Sequence, residues 1–212
     1  MTRYVKKRYA MRLLFISLLA FFLTACTLRK PAAVEWSAHR EQVHAASEWS
    51  VKGRMAVKVE DDAKAGGQLS MRWQQSKDIS QIRLSGPLGV GAWELLWEPE
   101  CVSVIDADGE QTIQYTGAEA AEDFMRAELG WAFPAQSIRY WVRGLPDPSA
   151  VVNERLAANG ELLGFDQYGW AIVYERYAEF DGLYMPVRIT MTGHGVRLRM
   201  ILSHWKIAAD LG

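Results

Sequence analysis

Four histidines, two cysteines and a few adjacent carboxylates are the side chains in this sequence that could carry chemistry. Spacing sets most of them aside. His39 and His44 are a poor match for one helix face, and no histidine belongs to an HExxH pattern or to CxxC-type zinc spacing. His194 lies between Gly193 and Gly195, in a turn. The pairs Asp61-Asp62 and Glu122-Asp123 sit in polar stretches, where carboxylates stay solvated instead of acting as general acids. There is no G-x-S-x-G elbow. Gly89-Val90-Gly91-Ala92-Trp93-Glu94 departs from the dinucleotide fingerprint and opens a strand pattern, not a helix. The sequence therefore proposes no catalytic residue, no metal site and no enzyme activity.

The cysteines are different. Two are too few for a disulfide scaffold, and Cys26 has a distinctive setting. Lys6, Lys7, Arg8 and Arg12 precede an apolar run, Leu13–Ala25. That run falls well short of the ~20 residues that span a bilayer, so residues 1–25 read as a signal peptide. It ends in Leu23-Thr24-Ala25-Cys26. This resembles the bacterial lipobox, which is cleaved before a cysteine that carries diacylglycerol and an N-acyl chain. Such chains contribute ~0.8 kcal/mol of membrane affinity per buried CH₂, and several together make a stable anchor. No cofactor is expected beyond these covalent chains. Thr27 stands where an Asp would signal inner-membrane retention in enterobacterial lipoproteins, so the resemblance points to the outer membrane. Either Met1 or Met11 fits as the start, because Arg12 keeps the leader basic. Cys101 would then be the only free thiol.

At 212 residues, half of them hydrophobic and 9 of them Trp, the chain can build one domain with a sizeable core. Five of its 24 basic residues fall in the first 25 positions, which hold no acid. The remainder has 19 basic against 25 acidic side chains, a net of −6. A mildly acidic domain lacks the phosphate-neutralising charge that a nucleic-acid partner needs.

Residues 26–33 read as a lipidated tether, 34–207 as the domain and 208–212 as a tail. A weak helical stripe over 34–47 comes first. The period then changes to two, as in half-buried strands. Trp49 to Val59, Leu69 to Trp73, Ile82 to Leu84, Trp93 to Trp97, Val102 to Val104 and Ile113 to Tyr115 make six strands. A helical insertion follows over about 117–145, with a capping box at Thr116 and Glu119 and a second helix starting at Pro134. About five more strands complete the chain: one near 151–156, then one holding Leu163 and Phe165, and those holding Trp170, Ile189 and Leu198. Short connections make this an antiparallel meander, and a sheet of about eleven strands tends to curl. Helices apolar on one face could cover its mouth. The inward set is rich in Trp and Met, including Met55, Met71, Trp73, Trp93 and Met200. It could fill a solid core or line a greasy cavity, and the pattern alone does not separate the two.

One turn stands out. Gly86-Pro87-Leu88-Gly89 has the Gly and Pro that a tight turn needs. Leu88 puts an apolar side chain where hairpin tips normally meet water.

Several motifs, in order, resemble the LolB family of outer-membrane lipoproteins. They are the lipobox, Trp49-x-x-x-Gly53-Arg54, Trp73-Gln74-Gln75, Gly86-Pro87-Leu88-Gly89, Trp131-x-x-Pro134, Ile138 to Pro146, Gly169-Trp170-x-x-x-Tyr174, Met185-Pro186 and the last strand through Trp205-Lys206. The resemblance covers about residues 26–207. The main departure is Gly86, where some relatives have Asn. It implies an incomplete antiparallel barrel with an α-helical lid, of the LolA/LolB kind. It implies a monomer that takes lipoprotein acyl chains from a LolA-like periplasmic carrier and releases them into the inner leaflet of the outer membrane. Met55, Met71, Trp73, Leu84, Leu95, Trp97 and Trp141 are the expected cavity residues. The loop Gly86, Pro87, Leu88 and Gly89 is the expected insertion device, with Leu88 at its tip. A lipoprotein sensor of similar fold, binding lipid or a regulator without transfer, is the competing reading.

Overall fold

The structure is a computed structural model that describes residues 34–60, 66–87, 91–106, 109–129, 133–150 and 152–208. Period-two patterning builds one antiparallel sheet of eleven strands. The first six are β1 (Glu48–Val59), β2 (Gly67–Ser76), β3 (Ile79–Ser85), β4 (Trp93–Glu98), β5 (Cys101–Ile105) and β6 (Gln111–Thr116). After the helices come β7 (Arg155–Leu156), β8 (Leu162–Gln167), β9 (Trp170–Phe180), β10 (Leu183–Gly193) and β11 (Val196–Ile207). In β2, Met71, Trp73 and Gln75 are buried while Arg72, Gln74 and Ser76 are exposed, as alternation across a pleat requires. The expected open antiparallel sheet with helices is what forms.

The spatial order is β6-β5-β4-β3-β2-β1-β11-β10-β9-β8-β7. Strands adjacent in the sheet are consecutive in sequence, with one exception at its centre. There β1 pairs with β11, from Trp49 opposite Ile207 to Val59 opposite Val196. Gly53 leaves no room for a side chain here: a Cβ at that position would lie 2.6 Å from the Ile201 carbonyl oxygen. The two edges are therefore β6 and β7, and the helical insertion is the connection between them.

Helix α1 (Trp36–Ala45) precedes the sheet and buries Trp36, His39 and Val43. Its N-cap is Glu35, whose carboxylate accepts the Ser37 N–H at 3.1 Å. The insertion contains α2 (Ala120–Phe124), a π-helical turn over Met125–Leu129, and α3 (Ala135–Trp141). The expected capping box does not form. Gly117 turns the chain at φ +109°, and Glu119 itself occupies the N-cap position with no side-chain cap bond. Pro134 is likewise the N-cap of α3 instead of its first helical residue. The strand expected near 151–156 shrinks to Arg155–Leu156. In β8, Leu162 and Gly164 pair with the adjacent residues Leu156 and Arg155. Leu163 is thus the extra residue of a bulge and is 40% exposed, while Leu162 turns inward.

Candidate apolar cavity and its cover

Inward side chains of β1 to β4 and β11 form the floor of a cavity of about 450 Å³. Met55 and Val57 come from β1, Met71 and Trp73 from β2, Leu84 from β3, Leu95 and Trp97 from β4, and Leu198 and Met200 from β11. Its cover is Phe124 and Met125 at the α2–π junction, Phe133 before α3, and Ile138 on α3. This volume is in the range of small-molecule sites. Methionines at three floor positions give it adaptable, unbranched walls.

The polar groups of this region are dealt with away from the space. The Trp73 indole N–H donates to Gln75 Oε1 at 3.2 Å, and Ser80 Oγ donates to the same oxygen at 2.6 Å. The Trp73 ring thus offers the cavity only carbon. Glu128 is the one ionisable residue of the lining. It lies on the exposed π-helical turn and accepts the Tyr115 O–H at 3.0 Å. The same hydrogen bond raises the Tyr115 phenol above its ordinary pKa. This contact ties the cover to edge strand β6.

Six of the seven residues singled out for the cavity stand together around it: Met55, Met71, Trp73, Leu84, Leu95 and Trp97. Trp141 does not, and its assignment is corrected here. Its side chain is fully buried on the other flank of α3. Its indole N–H donates to Gln167 Oε1 at 2.7 Å, and its carbonyl accepts the Tyr174 O–H at 2.7 Å. Phe133 and Phe165 meet its ring edge-on, with centroids 5.8 and 6.3 Å away. An indole N–H needs a partner when buried, and β8 supplies one that an apolar cavity lacks.

Around Trp141 is a polar network that the sequence reading missed. Ser137 Oγ donates to Asp147 Oδ2 at 2.6 Å, and the Ser149 N–H donates to Oδ1 at 2.8 Å. Burial raises the Asp147 carboxyl, but these hydrogen bonds outweigh it and hold the pKa below its ordinary value. Gln167 accepts the Asp147 N–H and donates to the Asp147 carbonyl. Arg143 Nη1 donates to the carbonyls of Val43 and Ala46, each at 3.0 Å, and so caps the C-terminus of α1. Burial pulls its pKa down to about 10, which leaves it charged at neutral pH. The only signal for these roles in the sequence was charge beside Gly144-Leu145-Pro146.

Of the expected insertion loop, Gly86 is half-buried at the end of β3 and Pro87 is exposed. Leu88, Gly89, Cys26 and Trp131 lie outside the described residues. Among the described residues, no three His, Cys, Asp or Glu side chains gather as a metal site would require.

The outer membrane lipoprotein LolB family matches residues 47–205. The chain belongs to the LolB family. The matched span runs from β1 almost to the end of β11 and contains the whole cavity lining. An outer-membrane lipoprotein LolB of Stutzerimonas stutzeri is 32% identical over 196 residues, covering 89% of this chain and 92% of its own. One from Pseudomonas aeruginosa is 32% identical over 174 residues, covering 82% of each. A LolA superfamily protein from Nitrosomonas europaea overlaps with TM-score 0.48 at 12% identity, covering 85% of this chain and 96% of its own. Membership in the LolB family makes this an outer-membrane lipoprotein of the receptor kind.

Proposed function

We propose that the cavity receives the acyl chains of lipoproteins brought by a LolA-like periplasmic carrier, and that the chain passes them to the inner leaflet of the outer membrane. The observation that carries this reading is an apolar space of about 450 Å³ between the sheet and a short helical cover. Burial of acyl surface there is favourable by ~25 cal/mol per Å². Handover needs only a more favourable site than the carrier's, so the exchange runs downhill without hydrolysis.

Acyl chains on Cys26 hold the domain, residues 34–207, at the membrane on its periplasmic face. It acts there as a monomer. The tip Gly86-Pro87-Leu88-Gly89 enters the lipid interface and helps cargo leave. A single leucine contributes about 1.5–3 kcal/mol on full burial, which suits local perturbation and not anchoring. The test is transfer of a lipoprotein from loaded carrier into liposomes. Wild type should complete both steps. Leu88→Glu should take cargo from the carrier yet fail to incorporate it. Equal loss of both steps, or of neither, would overturn this division of labour. Cargo binding without any onward transfer by wild type would make the chain a sensor.

A further inference from the structure

The outer face of the sheet, turned away from the cavity, carries charge that neither cavity nor tip uses. Lys52, Arg72 and Arg83 stand directly opposite one another across β1, β2 and β3. Lys58 on β1 stands opposite Arg197 on β11, and Arg54 lies between the two rows. All six are exposed. Among the described residues, none of them forms an ion pair. Glu94 stands opposite Arg83 without pairing to it. Glu48 and Glu98 lie on the same face at the far ends of β1 and β4, and Glu175 is already engaged by Arg199 at 3.2 Å and Arg188 at 3.8 Å.

Like charges directly opposite on neighbouring strands destabilise a sheet. Here three stand in a row, in a domain whose overall charge is negative. In their midst Ile201 is 53% exposed, opposite Arg54 on one side and Arg188 on the other. Cations spread over four strands around an exposed isoleucine suit a broad, anionic, partly apolar surface.

We propose that this face binds anionic phospholipid headgroups, so that the domain lies against the leaflet on β1, β2, β3 and β11. The proposal rests on the outer-membrane placement of the family, which keeps the face within reach of lipid. Each cation near an anionic membrane strengthens partitioning by about fivefold. An acidic protein is the competing partner, but it gives no role to Ile201.

The test uses the full chain anchored in vesicles. Cys101→Ser removes the free thiol, and Ser70→Cys places a polarity-sensitive fluorophore at an exposed, uncharged position beside the patch. In phosphatidylcholine vesicles the probe should report water. Adding phosphatidylglycerol should blue-shift it, and salt should reverse the shift. Arg72→Glu with Arg83→Glu should weaken the response about tenfold or more, while Arg72→Lys with Arg83→Lys should keep it. No difference between the two lipid compositions would overturn the proposal, as would an equal response from the charge-reversed variant. A response to poly-glutamate but not to phosphatidylglycerol would overturn it in favour of an acidic protein. Transfer from carrier into phosphatidylcholine vesicles, measured on the same variants, reports on the cavity separately.

Discussion

The two flanks of the sheet's inner face are made of the same kinds of residue and do opposite things. Over β8 to β10, Phe165, Ile172, Met185, Ile189 and Met191 are fully buried, Trp141 packs edge-on against Phe165, and the space is filled. Over β1 to β4, Met71, Trp73, Leu84, Leu95 and Trp97 face a void. Hydrophobicity does not distinguish the flanks; the way their covers are held does. The filled flank is stitched by buried hydrogen bonds through Trp141, Gln167, Asp147 and Tyr174. The hollow flank shares Phe133 and Ile138 of the α3 segment with it, and the rest of its cover is a five-residue helix and a π-helical turn, which Glu128 ties to β6 through an exposed bond from Tyr115. A pinned cover collapses onto its sheet, whereas a loosely held one can stand off and leave room.

The sharpest way to break this comparison is to truncate one large side chain in each flank. Trp141→Ala should cost about 3–5 kcal/mol, because it opens a new void and takes the indole N–H away from Gln167 Oε1. Leu95→Ala, which only widens a space already present, should cost distinctly less. Urea unfolding of the two variants measures the gap, and equal losses would erase the distinction. Filling works the other way. Leu84→Trp should lower binding of a fluorescent fatty acid about tenfold with little loss of stability, while Ile172→Trp should overpack the filled flank by about 1–3 kcal/mol.

A smaller effect concerns α1, which packs against the filled flank. The Tyr184 N–H donates to His39 Nε2 at 2.9 Å, and burial holds the imidazole below its ordinary pKa. The folded state thus binds fewer protons than the unfolded chain. The stabilisation is fully present above about pH 6.5 and is lost as pH falls through the folded value. Thermal melts of wild type should show that slope, and His39→Gln should flatten it. The smallest change in stability is expected from Tyr115→Phe. Its melting should stay within about 0.5 kcal/mol of wild type, yet fatty-acid exchange should be faster by stopped-flow if the cover moves as a unit.

Much of this was legible from the chain alone. Alternation is clean in β2, β3, β4 and the first half of β11, and the change to helical spacing near 117 marks the insertion. What escaped was decided by partners distant in sequence. Trp141 carries the same apolar signal as Trp97, and only Gln167, 26 positions on, sends it to the filled flank. The capping box failed because Gly117 bends the chain before a helix can begin. Leu163, expected to share a strand face with Phe165, turns outward because of a bulge set by the pairing of Leu162 with Leu156. The choice between solid core and cavity had no local signature, and the molecule takes both options, one on each flank.

The central pairing of β1 with β11 has a consequence for how the molecule comes to exist. Trp49 must find Ile207, so nearly the whole domain lies in the loop that this contact closes. Contacts of such long sequence separation slow folding, because their chain entropy is lost before the packing is gained. Met55 and Val57 on β1 and Leu198 and Met200 on β11 meet only at that step. The floor is complete only once β11 has paired with β1, so the capacity to hold a guest depends on the last strand of the chain.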